Sequence, residues 1–262
     1  VDAGPGLSID HMWFNLNVAA DGKPVAGDIK YSWFNDKRFR QAISMAIDRR
    51  SITSITLQGL ASPLYGFVSP ANKVWIAPEL PKIELSIEKA SQLLKDAGFQ
   101  KGGSGDSPVL TDAKGNPVEF SLIFPAENEA RKLMASVIQE DLAKLGIKVQ
   151  VVPIENAALS ERWTKTFDYD ALLFGLSQTD TEPSSYQNFL MSSAGTHQWH
   201  PKQLSPARDW EARIDKLFAE QSVELDSNMR HAKFNEIQMI MVEEMPVIPV
   251  AARHVLAAVN TR

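Results

Sequence analysis

The chemistry available to this chain is concentrated in one polar run: Ser177, Gln178, Thr179, Asp180, Thr181, Glu182, Pro183, Ser184 and Ser185. It offers hydroxyls, an amide and two carboxylates on a segment braced by proline, a set suited to hydrogen bonding with a polar solute. The run follows a β-prone stretch, Tyr169 to Leu176, and in open α/β sheets ligands collect beyond the carboxyl ends of strands. Ser177, Gln178, Thr179, Asp180, Glu182 and the nearby Tyr186 are therefore candidate ligand-binding residues. The same run also fits a solvated loop followed by a helix cap, and residue types alone leave both readings standing.

A second candidate lies between Met191 and Asp215. Trp199 reads either as an aromatic wall over an apolar or sugar-like face, with His197 or Gln198 beside it, or as a plug in the core. His197 and His200 are three residues apart, but no carboxylate or third histidine sits at ligand spacing, so no metal site is expected. Trp210 falls on an amphipathic face and reads as core. No catalytic residue and no cofactor are expected, because GxSxG, HExxH, GxGxxG and Walker patterns are all missing from the sequence. Lys101 precedes Gly102, Gly103 and Gly105 without a following GK[ST], and Asp180 and Glu182, two apart on a loop, make a poor acid and base pair.

Composition narrows the partners. Lys plus Arg total 27 against 32 Asp plus Glu, a net charge of -5 with no basic tract to follow a phosphate backbone, so nucleic acid is not an expected partner. The absence of cysteine removes disulfides and thiolate metal sites and is compatible with an oxidising compartment. With 262 residues and 44% hydrophobic content, the chain can bury a large core, read here as a single domain spanning 1–262. No run of about 18 apolar residues is present to span a bilayer, and no basic-then-apolar segment follows Val1. A soluble chain is expected, any signal peptide belonging to a longer precursor.

The elements that must hold these candidates alternate between strand and helix periods, which argues for α/β layering. Ile9 to Leu16 reads as a strand and Asp21 to Lys30 as a loop. Phe34 to Ile52 reads as a helix: Phe39, Ala42, Ile43, Ala46 and Ile47 form an apolar stripe, and Asn35 or Asp36 caps the start. Asp48 near that helix's end is unfavourable against the dipole and calls for a cationic or backbone partner, whereas Arg49 and Arg50 suit the last turn. Prolines and glycines from Gly59 to Pro81 deny regular structure, so Leu64, Tyr65, Phe67, Val68 and Trp75 are expected on an extended segment covering the core. Ser86 caps the next helix and Gly98 stops it; Gln100 to Gly115 reads as a loop. Strand Val118–Phe124, a helix from Glu127 to Leu145 and strand Ile147–Val152 form a right-handed crossover, repeated through a helix at Asn156–Lys165 into strand Tyr169–Leu176. Helices Arg208–Gln221 and Asp226–Glu243 precede a β-prone tail, Val247–Val259.

Four pieces, RQAISMAIDR (40–49), ASQLLKDAGF (90–99), the unit 118–153 ending in LAKLGIKVQVVP, and the tail 230–250, stand in an order that resembles the extracellular solute-binding proteins of family 5. Those proteins serve ABC importers of peptides, nickel and related solutes. The resemblance implies the C-terminal α/β lobe of a type II periplasmic binding protein, with a mostly parallel central sheet flanked by helices. It also implies a missing N-terminal lobe, ABC permease subunits as partners, and a periplasmic or extracellular location, secreted or membrane-anchored. The implied function is solute binding, most readily of a peptide or related small polar solute, by closure of two lobes. The alternatives are a stand-alone sensory or docking module, or a hydrolase.

In peptide-binding members the matching loop resembles GWxADYxDP, whose aspartate receives the ligand's α-ammonium group. Gly175 matches the glycine and Glu182-Pro183 the acidic-proline end, but Leu176 replaces the tryptophan, Thr179 stands in the aspartate's place and Asp180 falls on the tyrosine. Either the loop shifts by one residue so that Asp180 takes the role, or the ligand lacks a free α-amine. SSAGTHQWHPKQLSPARDWEARID (192–215) resembles a subgroup pattern, SSGxxHxWxPxQxxPATxWEAxID.

Overall fold

The computed structural model describes residues 1–102 and 108–258. Its elements begin with β1 (Asp2–Phe14), α1 (Asp28–Asn35), α2 (Lys37–Ala46), α3 (Arg49–Ser51), β2 (Ala61–Pro63), α4 (Ile87–Asp96), β3 (Gln100–Gly102) and β4 (Val109–Thr111). They continue with β5 (Glu119–Pro125), α5 (Glu129–Ala143), β6 (Lys148–Ile154), α6 (Asn156–Glu161), β7 (Ala171–Ser177), α7 (Gln187–Leu190), α8 (Asp209–Val223), α9 (Ser227–Glu244) and β8 (Val247–Leu256). The loop expected over 100–115 is in part the β3–β4 hairpin, and the rest of it includes 103–107, outside the described residues.

Six strands form the main sheet in the order β2-β8-β1-β7-β5-β6. β5 runs parallel to β6 and β7, whereas β1 is antiparallel to β7 and β8, and β2 is antiparallel to β8. The expected α/β lobe is what the chain forms, but its sheet is mixed instead of mostly parallel. The reason is topological: only β5, β6 and β7 are joined by crossover helices, which force parallel pairing. β1 and β8 come from opposite ends of the chain, and no periodicity within a strand reports the direction of its neighbour.

The signature helix expected over 34–52 is broken. Asp36 caps α2 by accepting from the Arg38 amide, and α2 ends at Ala46 because Ile47 is extended. Asp48 is not in a last turn at all. Its carboxylate accepts from the Ser51 amide as the N-cap of α3, the backbone partner its charge called for, and its own amide donates to Asp141 Oδ2 at 2.8 Å. Arg49 is buried in the break, donating to the carbonyls of Ser44, Leu64 and Pro249. Arg40, also buried, donates to the carbonyls of Phe34, Glu244 and Met245, closing the end of α9 where Met245 turns left-handed at φ 48°. These two guanidiniums tie the 40–49 segment to α9 and β8, Arg40 by satisfying carbonyls that helix ends leave open and Arg49 by reaching the Pro249 carbonyl of β8.

Packing follows the expected stripes. Phe14, Phe34, Phe39 and Phe120 meet between α1, α2 and the sheet, with Phe14 stacked on Phe34 at 4.5 Å between centroids. Each such burial is worth about 1.5 to 3 kcal/mol. Leu64, Phe67, Val68 and Trp75 are buried on the expected irregular segment, but Tyr65 is only half-buried and Ala61–Pro63 form the short edge strand β2. Asn128 caps α5 through the Arg131 amide, and Gly146 stops the turn after it at φ 84°.

Candidate functional site

The carboxyl ends of β5 and β7, the start of β1 and the end of β8 share one edge, since β1 pairs with β7 from Phe14↔Ala171 to Ser8↔Ser177. The polar run leaves from this edge. Ser177 and Ser8 are linked through their hydroxyls at 2.9 Å. Asn72 donates to the Thr181 carbonyl at 2.8 Å, and Arg230 to Glu182 Oε2 at 2.9 Å, so the irregular segment and α9 both hold the loop. Asp180 Oδ1 accepts from the Glu182 amide, forming an Asx turn ahead of buried Pro183. Its Oδ2 accepts no hydrogen bond from the described residues, and Thr179 and Asp180 are both exposed. Ser177, Thr179, Asp180 and Glu182 thus lie exposed along one edge, with Gln178 half-buried among them.

Tyr186, His197 and Trp199 are elsewhere. Tyr186 is 1% exposed and packs on Phe67 and Phe234; burial pushes its hydroxyl up to about 12. Trp199 is fully buried, its indole donating to Glu211 Oε1 at 2.8 Å. His197 is buried beside it, with Nδ1 donating to the Phe189 carbonyl at 3.0 Å and Nε2 3.4 Å from Glu211. The structure therefore moves these three from a contact surface into the core. For His197 and Trp199 the cause is Glu211, a fully buried carboxylate that also receives Gln203 at 3.0 Å and Arg208 at 3.3 Å; for Tyr186 it is the packing on Phe67 and Phe234. Burial alone would raise its pKa, but donation from His197, the charge of Arg208, and bonds from Trp199 and Gln203 outweigh that and hold it at about 2. The motif H-x-W-x-x-x-Q…W-E is the sequence of this hub.

Sequence reasoning missed the cluster just inside the edge. Asp10 on β1 is 1% exposed and receives Arg131 Nε at 2.9 Å, Arg253 Nε at 2.6 Å and Arg253 Nη2 at 3.2 Å. Arg131 rises from the first turn of α5 and lies 4.5 Å from the Phe174 ring centroid. Gly175, opposite Asp10 in the ladder, leaves the room: a Cβ there would sit 2.3 Å from Arg131 Nη2. The available signal was a carboxylate inside an apolar strand, Ile9-Asp10-His11-Met12, which demands cationic partners. His11, the next residue, is fully buried against Gln198 Oε1, and burial lowers its pKa to about 4.

The polar loop lies beyond the carboxyl ends of the parallel strands, where open α/β sheets bind ligands. The chain belongs to the bacterial extracellular solute-binding proteins, family 5: the model described as the middle part of that family matches residues 1–198. It is 30% identical over 268 residues to a probable ABC transporter-binding protein of Deinococcus radiodurans, covering 97% of this chain and 43% of that protein. It is 31% identical over 225 residues to the oligopeptide-binding protein AppA of Bacillus subtilis, covering 83% and 38%. The solved structure of AppA in complex with a nonapeptide superposes with a TM-score of 0.78 at 27% identity over 97% of this chain and 46% of that one. The periplasmic binding protein MelB from Agrobacterium fabrum, in complex with stachyose, shares the fold at TM-score 0.81 and 18% identity, with 96% and 39% covered. The chain thus spans less than half the length of these relatives, and no described helix is long and apolar enough to cross a membrane.

Proposed function

We propose that this chain is one lobe, 1–262, of a two-lobe extracellular or periplasmic receptor that hands a peptide or related small polar solute to the permease of an ABC importer. The observation that carries the reading is the polar run Ser177, Gln178, Thr179, Asp180 and Glu182 at the carboxyl edge, exposed except for the half-buried Gln178, in a chain of family 5. Asp180 Oδ2 is the acceptor best placed for a cationic or hydroxyl group, which supports the one-residue shift that gives Asp180 the role Thr179 cannot fill.

β1 and β8 lie side by side out to Asp2↔Leu256, at the edge that carries the polar run, and this is the edge a second lobe would cover. Closure of that lobe over the edge excludes water. Two unit charges 4 Å apart gain about 1 kcal/mol in water and about 4 kcal/mol at an effective dielectric of 20, so the same contacts tighten as the cleft shuts. This lobe alone presents an open shelf and binds weakly.

The test is a thermal-shift screen of the full-length protein with peptides, oligosaccharides, opines and nickel, repeated with Asp180→Asn. Stabilisation by one class, diminished in the variant, is the expected result. No stabilisation by any class overturns the proposal.

A further inference from the structure

The polar loop does not exhaust the chemistry of this edge. Two guanidiniums, Arg131 and Arg253, converge on the single carboxylate of Asp10. Two positive charges less one negative leave one positive charge without a counter-ion. Of the other carboxylates on this side of the chain, Asp2 pairs with His254 at 2.8 Å, Glu129 with Lys132 at 3.4 Å and Glu182 with Arg230 at 2.9 Å, while the exposed Asp180 on the loop makes no ion pair with either guanidinium. Donors are left over as well. Asp10 takes the Nε of Arg131 and the Nε and Nη2 of Arg253; both terminal nitrogens of Arg131, and Nη1 of Arg253, make no hydrogen bond with the described residues.

The surplus is accessible and oriented. Asp10 is 1% exposed, whereas the side chains of Arg131 and Arg253 are 13% and 33% exposed, so the counter-ion lies beneath and the guanidiniums face out. Residues two apart on a strand share a face. Ser8 and Ser177, their hydroxyls paired, therefore stand on the same face as Asp10 and Gly175, one step nearer the rim. Gly175 keeps that face clear where any side chain would displace Arg131.

We infer that Arg131 and Arg253, charge-balanced in part by Asp10, form a receptor for one monoanionic group of the bound solute, a carboxylate. The charge count sets the class: a carboxylate neutralises the site, whereas a dianionic phosphate overshoots it and leaves the pocket negative against buried Asp10. The planar fork of guanidinium also matches a carboxylate in two-point contact. This assignment rests on the proposal that the solute lies on this edge, and it narrows that solute to one carrying an acid group.

The test is calorimetric titration of the full-length protein with matched acid and neutral probes: trialanine and trialanine amide, galacturonate and galactose. In whichever class binds, the acid binds about 10- to 100-fold more tightly than its neutral partner. Arg253→Gln removes that preference by weakening the binding of the acid probe. Asp10→Asn, which raises the surplus to two charges, widens the preference, a result that a merely structural cluster does not give. Circular dichroism of both variants monitors folding. Equal binding of acid and neutral probes, or an unaltered preference in both variants, overturns the carboxylate site and leaves the solute-binding proposal intact. Failure of every probe, together with an empty thermal-shift screen, removes both.

Discussion

Glu211 offers the sharpest quantitative test of how this lobe is held together. Its carboxylate is fully buried and receives Trp199, Gln203, His197 and Arg208, and those partners hold its pKa near 2 against an ordinary 4.5. A depressed carboxyl pKa contributes stability that is present above the unfolded value and lost as pH falls through the folded one. The difference corresponds to about 3 kcal/mol at neutral pH, at 1.36 kcal/mol per pH unit. Glu211→Gln keeps the shape but removes the charge and turns an amide donor toward other donors. At pH 7 the variant is expected to lose about 3 kcal/mol of unfolding free energy in urea. By pH 3 about 2 kcal/mol of that advantage has gone from the wild type, so the gap between the two proteins closes to about 1 kcal/mol. Taking the difference between the two curves cancels the other carboxylates. A gap that stays constant from pH 7 to pH 3, or one below 1 kcal/mol at pH 7, refutes the hub.

Three further outcomes follow from single contacts. Arg49→Lys retains the charge but cannot reach the Ser44, Leu64 and Pro249 carbonyls together, and should cost about 2 to 4 kcal/mol in urea unfolding. Gly146→Ala places a Cβ 2.7 Å from the Leu110 amide nitrogen at φ 84°, so a fall in Tm of several degrees is expected in calorimetry. His11, held near 4 by burial, is neutral when folded; its contribution is present above pH 6.5 and lost as pH falls toward 4. His11→Gln should therefore flatten the decline of Tm between pH 6.5 and 4, a window separate from that of Glu211.

Helix stripes and caps were legible because they depend on local spacing. Asp226 caps α9 and Ser86 caps α4, and the stripe Ala42, Ile43, Ala46 and Ile47 is buried throughout. The break at Asp48 was half visible: its carboxylate was out of place in a helix end and accepts from the nearby Ser51 amide, but Asp141, which takes the Asp48 amide, lies 93 residues away. The cluster at Asp10 was illegible for the same reason: its cations come from α5 and β8, and only the sheet order brings them together. Trp199 shows a different limit. An indole on a loop fits a solute face and a core equally well, and the deciding group was Glu211, which as a lone helix residue reads as solvated.

The same distinction between local signal and distant anchor governs what fixes the candidate loop. Two visible ties, Arg230 to Glu182 and Asn72 to the Thr181 carbonyl, are of modest worth: the first is a partly exposed ion pair of at most about 1 kcal/mol, the second an ordinary hydrogen bond of about 1 kcal/mol. Tyr186, 1% exposed between Phe67 and Phe234, is the larger anchor, since removing a buried aromatic side chain costs about 3 to 5 kcal/mol. Asp180 is then presented by a turn whose geometry is set from the core, before any solute arrives. Hydrogen exchange of the 177–185 amides should accelerate strongly in Tyr186→Ala and barely in Glu182→Gln. Equal acceleration in the two variants would mean that the surface pair, and not the buried ring, holds the loop in place.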